Sequence, residues 1–167
     1  IISVTQEGVP IEFFDTPGIE IDQKKQKKIF NNIYNFIKKR HRKKDENNYV
    51  HCIWYCVNAE SKRFQDGEID FIKKISQDKK LGNIPIVIVL TQCIDTSIAN
   101  KMIEVIKEEN LNISAIIPVL CYDRHLNTFG QEIVIKQFGV DKLIDTTIEL
   151  VPEILQKTLA ILKNLHV

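Results

Sequence analysis

The sequence predicts an α/β fold, a doubly wound and mostly parallel sheet with an antiparallel edge hairpin at its start. Three observations carry that expectation. Two short β-type runs flank a turn containing Gly and Pro near the start of the chain. Three later runs are apolar over almost their whole length, as strands inside a helix-covered parallel sheet are. Segments of helical period separate those runs.

Taken in order, Ile1–Thr5 and Ile11–Phe14 are the arms of the hairpin, with Gln6–Pro10 as its turn. Ile29, Ile33, Phe36 and Ile37 form the stripe of a first helix. Val50–Val57 (VHCIWYCV) reads as a strand buried on both sides, followed by a helix marked by Ile69, Ile72 and Ile75. Ile84–Leu90 (IPIVIVL) is the next strand, and Ile98, Met102, Val105 and Ile106 mark the helix after it. Ile113–Leu120 (ISAIIPVL) is the last strand. From Val140 to Leu165 the period is helical again, and Pro152 opens a second helix or kinks the first. That final segment, about 152–166, points on toward another C-terminal region. The order is β-β-α-β-α-β-α-β-α, without repeats or low-complexity linkers, and residues 1–167 are expected to be one domain.

Composition narrows the function classes. A net charge of +1 supplies no global field for nucleic acid or for an acidic substrate. The longest unbroken apolar run is too short to span a bilayer, and no stretch of these 167 residues reads as a signal peptide. Cys52, Cys56, Cys93 and Cys121 sit in strand-like runs without a C-x2-C pair, so reduced, buried thiols in a cytoplasmic protein are expected. His41, His51 and His125 lack metal-ligand spacing. Trp54 and Tyr55 read as sheet-covering residues rather than as a stacking platform.

In an open α/β sheet, ligands bind beyond the carboxyl ends of the strands. Each strand-like run here ends in polar residues: Asp15-Thr-Pro-Gly18, Asn58-Ala-Glu-Ser61, Thr91-Gln-Cys-Ile-Asp95 and Cys121-Tyr-Asp-Arg124. A carboxylate at a strand tip, here Asp15, can hold Mg2+ directly or through water. A glycine three residues later, Gly18, lets the backbone approach a phosphate and aim its N–H at it. Alone, this D-x-x-G pattern is equally readable as an Asx or Pro-Gly turn.

The second pattern adds weight, because Thr91–Asp95 resembles the N/T-K-x-D guanine-specificity motif of GTP-binding proteins, with one extra residue before the aspartate. With Asp15–Gly18 at one strand end, Thr91–Asp95 at another and Pro118–Cys121 at a third, the chain resembles a translation-factor-type GTPase domain. The kind is that of bacterial Era-like and ribosome-associated GTPases and of immunity-related GTPases. Tyr49–Phe71 resembles the strand and helix that follow D-x-x-G in that group. The resemblance implies a P-loop NTPase-like three-layer sandwich and GTP or GDP as ligand with Mg2+. It places Asp15 on the metal side, Gly18 at the γ-phosphate, Thr91, Gln92 and Asp95 at the base, and Cys121 at the guanine carbonyl.

Three departures follow. Gln92 stands for the usual Lys, and Asp95 comes four residues after Thr91 rather than three. Cys121 replaces a small Ala. The phosphate-binding loop, Gly-x-x-x-x-Gly-Lys-Ser/Thr, has no match among the six glycines. The family places that loop and its strand ahead of the opening hairpin, so a domain truncated before D-x-x-G is expected. An intact parent would hydrolyse GTP, and this piece would be inactive. Ile19 stands where many such GTPases carry a water-orienting Gln, so hydrolysis in the parent would draw a group from elsewhere. A nucleotide-free pseudo-GTPase scaffold and a partition-type P-loop ATPase are the alternative readings.

Beside this site, Lys24–Lys44 holds ten Lys or Arg residues. It reads either as a solvated helix face or as a contact for RNA, a ribosome or an anionic membrane, without stable DNA binding. A homodimer is compatible with the same sequence.

Overall fold

The structure, a computed structural model, describes residues 2–5, 12–16, 23–42, 48–61, 63–81, 83–128, 130–153 and 156. Its elements are β1 (Ile2–Thr5), β2 (Glu12–Asp15), α1 (Gln23–His41), β3 (Ile53–Asn58) and α2 (Asp66–Gln77). They continue with β4 (Ile86–Thr91), α3 (Thr96–Glu108), β5 (Ala115–Pro118), β6 (Arg124–Thr128), β7 (Gln131–Ile135) and α4 (Val140–Leu150). The fold is mixed α/β, with a three-stranded parallel sheet in the order β3-β4-β5.

β4 is the centre of that sheet. Ile86, Val87, Ile88, Val89 and Leu90 are each no more than 3 % exposed. Side chains alternate across a strand, so the two sets bury into different layers. Ile86, Ile88 and Leu90 join Tyr55, Val57, Phe30 of α1, Ile72 of α2, and Met102 and Ile106 of α3. Val87 and Val89 face Ile117, Val119 and Leu143 of α4. Helices therefore cover both faces, and each fully buried branched side chain contributes about 1.5–3 kcal/mol relative to exposure.

The registers Asn58↔Thr91 and Leu90↔Pro118 bring the carboxyl ends of the three strands level with one another. α1 is fastened to α2 by Phe30 stacked on Phe71 at 4.2 Å. The Tyr34 hydroxyl donates to Asp78 just beyond α2, a bond that holds the Asp78 carboxyl below the usual range.

Several expectations are corrected. β3 is not apolar on both faces: Tyr55 and Val57 are buried, whereas Trp54, Cys56 and Asn58 are exposed on the other side. Trp54 reaches α4 from that side, its indole N–H donating to Thr147 Oγ1 at 2.9 Å. The cysteines are free thiols, but only Cys93 is buried; Cys52 is half-buried, and Cys56 and Cys121 are exposed. The opening hairpin exists, with β1 antiparallel to β2, but as a separate two-stranded sheet rather than an edge of the parallel one. Side chains hold it in place: Phe13 lies 6.0 Å from Trp54, Phe14 packs edge-on against Phe36, and Arg40 pairs with Glu12 at 3.0 Å.

A second hairpin, β6–β7, follows β5 and turns through Gly130 at φ +79°. α4 stops at Leu150, two residues before Pro152, because the residue before a proline is driven out of the helical region. Of the expected final helix over 152–166, all but residues 152, 153 and 156 lie outside the described residues. No helix among the described residues is long and apolar enough to cross a membrane.

One buried carboxylate anchors the first core. Glu68 accepts from the Tyr55 hydroxyl at 3.0 Å and, in a capping box, from the Gln65 backbone N–H at 2.8 Å. Burial raises the Tyr55 phenol far above its ordinary pKa, and the Glu68 charge adds to the effect. Tyr55→Phe strips one donor from a buried charge, so it is expected to lower the unfolding free energy by about 1–3 kcal/mol. Urea denaturation measures this; an unchanged midpoint would show that water takes the hydroxyl's place.

Candidate functional site

The carboxyl ends of β4 and β5 are tied into one unit. Immediately after β4, Gln92 adopts φ +56°, in the left-handed region that non-glycine residues rarely enter. The other two such residues among those described are asparagines, which tolerate it better. This turn drops Cys93 into the core, its Sγ 3.2 Å from the Leu90 carbonyl. The Cys93 N–H donates to Val119 O at 3.4 Å, and the Val119 N–H donates to Leu90 O at 2.7 Å. The loop after β4 and the loop after β5 are thereby zipped edge to edge.

The second loop is clamped from its other side as well. Leu120 and Phe138 exchange two backbone hydrogen bonds, both 2.9 Å. Gly139 then opens α4 at φ +84°, and a Cβ there would stand 2.2 Å from the Pro118 carbonyl oxygen. Only glycine fits this contact without moving the backbone on which Cys121 rides.

The anticipated residues are distributed as follows. Thr91 is half-buried, and its hydroxyl donates to Val57 O at 3.3 Å, tying β4 to β3 at the rim. Gln92 and Cys121 are exposed. Asp95 caps α3: it accepts from the Ser97 N–H at 2.7 Å, and a further bond from the Ser97 side chain is the leading reason its carboxyl lies below the usual range. Asp15 is exposed at the tip of β2. Gly18 and Ile19 lie outside the described residues.

Cys56 links the two halves of the rim. Its thiol pKa is raised, first by desolvation of the sulfur and then through the proximity of Cys121 and Asp15. Asp15 and Cys121, which are far apart in sequence, thus share the neighbourhood of Cys56. Asn58 ends β3 two residues after Cys56, its side-chain oxygen accepting from the Glu60 N–H at 2.9 Å. The arrangement presents a carboxylate, two thiols and an amide at one end of the sheet.

No group of three or more His, Cys, Asp or Glu that could hold a metal occurs among the described residues. An open depression of about 590 Å3 lies elsewhere, along the outer edge of β5 between Ile106 and Lys142. Set against known proteins, the chain matches no family model and no curated sequence.

Cys56, Ser97 and Gly139 are additions to the sequence reading. Ser97 was legible in principle, since an aspartate two residues ahead of a serine at a helix start is a capping pattern. Cys56 was hidden because its run looked apolar on both faces. Gly139 has no local signal, since its role depends on a carbonyl 21 residues away.

Two substitutions test the rim's construction. Gly139→Ala is expected to cost about 2–4 kcal/mol, from a left-handed backbone plus a backbone clash. Gln92→Gly removes strain and is expected to be neutral or to stabilise by up to about 1 kcal/mol. Thermal unfolding of both variants reads this out, and a destabilised Gln92→Gly would contradict the assigned turn.

Proposed function

We propose that this chain is part of a guanine-nucleotide-binding domain. The base side is built on Thr91, Gln92, Asp95 and Cys121, and the phosphate side begins at Asp15-Thr-Pro-Gly18. The observation that supports this most is the zipping of the Thr91–Asp95 loop onto the loop that carries Cys121, beyond the carboxyl ends of adjacent parallel strands. The Asp95 carboxylate is exposed and held ionised by Ser97, as an acceptor for a ring N–H and an exocyclic amine has to be. A strained Gln92 in the same loop fits a functional site, where the surrounding structure holds the backbone against local preference.

The intact domain would bind GTP or GDP with Mg2+ and hydrolyse GTP, Mg2+ neutralising phosphate charge when bound, with Asp15 on its side of the site. The sequence has no Gly-Lys loop to cradle the phosphates, so the 167-residue chain itself would bind the base weakly and hydrolyse nothing. Among the described residues β3 pairs only with β4, which leaves its other edge able to pair with a further strand. One observation favours a second reading, a nucleotide-free scaffold of the same fold: Asp95 already has a structural task in capping α3.

Base titrations separate the two. Isotope-labelled chain is titrated with millimolar guanosine or adenosine and followed by amide chemical shifts. Guanosine is expected to shift residues 92–95 and 121 and to bind roughly tenfold tighter than adenosine, a difference that Asp95→Ala removes. Fluorescent GTP is expected to bind more weakly than low micromolar. Equal or absent responses to the two nucleosides would sink the nucleotide reading and favour the scaffold.

A further inference from the structure

β7 is exposed along almost its whole length. Gln131, Glu132, Ile133 and Val134 face solvent, and only Ile135 is half-buried. Of the eight large hydrophobic side chains exposed among the described residues, five lie within residues 122–140, so exposed apolar surface gathers at this hairpin. Among the described residues β7 pairs with β6 alone, and no strand ladders onto its other edge. A two-stranded ribbon of this kind is marginal in water, and further strands stabilise it.

The register shows which backbone groups that edge presents. Thr128 and Gln131 face one another across a two-residue turn, which makes them a hydrogen-bonded pair. Bonded and non-bonded pairs alternate along an antiparallel ladder, so Leu126 with Ile133 and Arg124 with Ile135 are bonded too. The N–H and C=O groups of Glu132 and Val134 therefore point outward, away from β6.

The side chains along that edge have a symmetry of their own. Gln131 to Gln137 reads Gln-Glu-Ile-Val-Ile-Lys-Gln, with Val134 at its centre. Isoleucines flank the valine, a glutamate and a lysine come next, and glutamines close both ends. Laid antiparallel on itself about Val134, the stretch sets Glu132 opposite Lys136 and Ile133 opposite Ile135. Opposite charges and paired β-branched residues both stabilise a sheet in such positions. The centre of this symmetry is also an outward-pointing backbone position, as self-pairing in that register requires. β6, Arg124-His-Leu-Asn-Thr128, has no such complementarity about its own centre.

Charges on an edge strand commonly shield it against pairing. Shielding accounts for the presence of Glu132 and Lys136, but not for opposite signs at equal distances from an exposed valine. Neither charge is used up within the chain. His125 Nδ1 lies 2.7 Å from Glu132 Oε1, and Lys136 donates to Asp123 at 2.7 Å, yet the Glu132 and Lys136 side chains stay 63 % and 78 % exposed. Contacts that exposed contribute little to the monomer.

We propose that β7 is a self-association edge, on which a second copy of this chain pairs antiparallel about Val134. The two hairpins then form one four-stranded sheet, with β7 extended by a residue to Lys136 and a twofold axis at the centre. Glu132 meets Lys136 of the second copy, and the reverse contact follows by symmetry. On the opposite face, Ile133 meets Ile135 of the second copy in a non-bonded pair, where side chains approach most closely. Leu126, across from Ile133 in its own hairpin, continues that apolar stripe. One strand pair is a small interface, so the dimer is expected to be weak, with a Kd on the order of micromolar or above.

Sedimentation velocity of the whole chain from about 5 to about 500 µM is expected to show a monomer–dimer equilibrium. Val134→Pro removes the outward N–H without touching a bond to β6 and should weaken the dimer about tenfold or more. Glu132→Lys and Lys136→Glu each set like charges opposite one another and should each weaken it about fivefold or more. Mixing those two variants restores unlike charges at both positions, so the mixture should associate more tightly than either alone. Val134→Cys tests the register, because the two Cα atoms would lie about 5.5 Å apart, within disulfide reach. Diamide should then join two copies at position 134, read out by peptide mapping, whereas Ile133→Cys should not join to itself. Circular dichroism melts check that each variant folds. A chain that stays monomeric throughout would overturn the proposal, as would a dimer unaffected by Val134→Pro or by either charge variant. Failure of the mixture to associate, or a self-link at 133 rather than at 134, would overturn it equally.

Discussion

β4 is enclosed on both faces and bonded on both edges, and the rim of the sheet is referred to it. Ile86, Ile88 and Leu90 fill the layer under α1, α2 and α3, and Val87 and Val89 fill the layer under α4. A strand in that position has no freedom to slip, because a shift by one residue would exchange the two layers. Its last residues therefore deliver the loop after it to a fixed place. Leu90 accepts from Val119, Val119 accepts from Cys93, and Thr91 reaches back to Val57. Three strand ends are locked together by bonds from β4 and from the loop that follows it.

The parts that do not touch β4 are held by other means. β1–β2 and β6–β7 are isolated two-stranded sheets, a form that is marginal without outside support. The first takes that support from α1 and β3 through Phe13, Phe14 and Arg40. The second is joined at its base by Leu120 and Phe138, and the Asp123 carboxylate accepts from Lys136 at 2.7 Å and from the Gln137 N–H at 2.9 Å. Asp15, at the open end of the first hairpin, is thus placed by side chains, whereas Thr91, Asp95 and Cys121 are placed by backbone bonds. The two sides of the proposed nucleotide site differ in how firmly the chain fixes them.

The fold's centre was legible because its signal is local. IPIVIVL cannot be satisfied anywhere but between two layers, and the stripes at Ile69–Ile75 and Ile98–Ile106 announce the helices that cover it. β3 misled because VHCIWYCV is apolar by residue type, yet Trp54 and Cys56 are among the types that tolerate a wet face when a Thr147 or a neighbouring loop meets them. β6–β7 went unread because its alternation is weak and only Gly130 marks its turn. At the rim, the order Asp15, Thr91, Asp95, Cys121 was visible as polar residues after apolar runs. The capping of α3 by Asp95 through Ser97 was encoded in the spacing, whereas the dependence of Cys121 on Gly139 is set by geometry that spacing does not encode.

The proposed base recognition would depend on the same construction, since such a loop works only if it is held rigidly by a strand that cannot move. Native-state hydrogen exchange measures that rigidity residue by residue. The amides of Val87–Leu90, Cys93 and Val119 are expected to exchange only through global unfolding, with one shared free energy, while those of β1–β2 and β6–β7 exchange through smaller local openings. Exchange of Cys93 and Val119 as fast as that of the hairpins would contradict the account, because the rim loops would then not be anchored to β4.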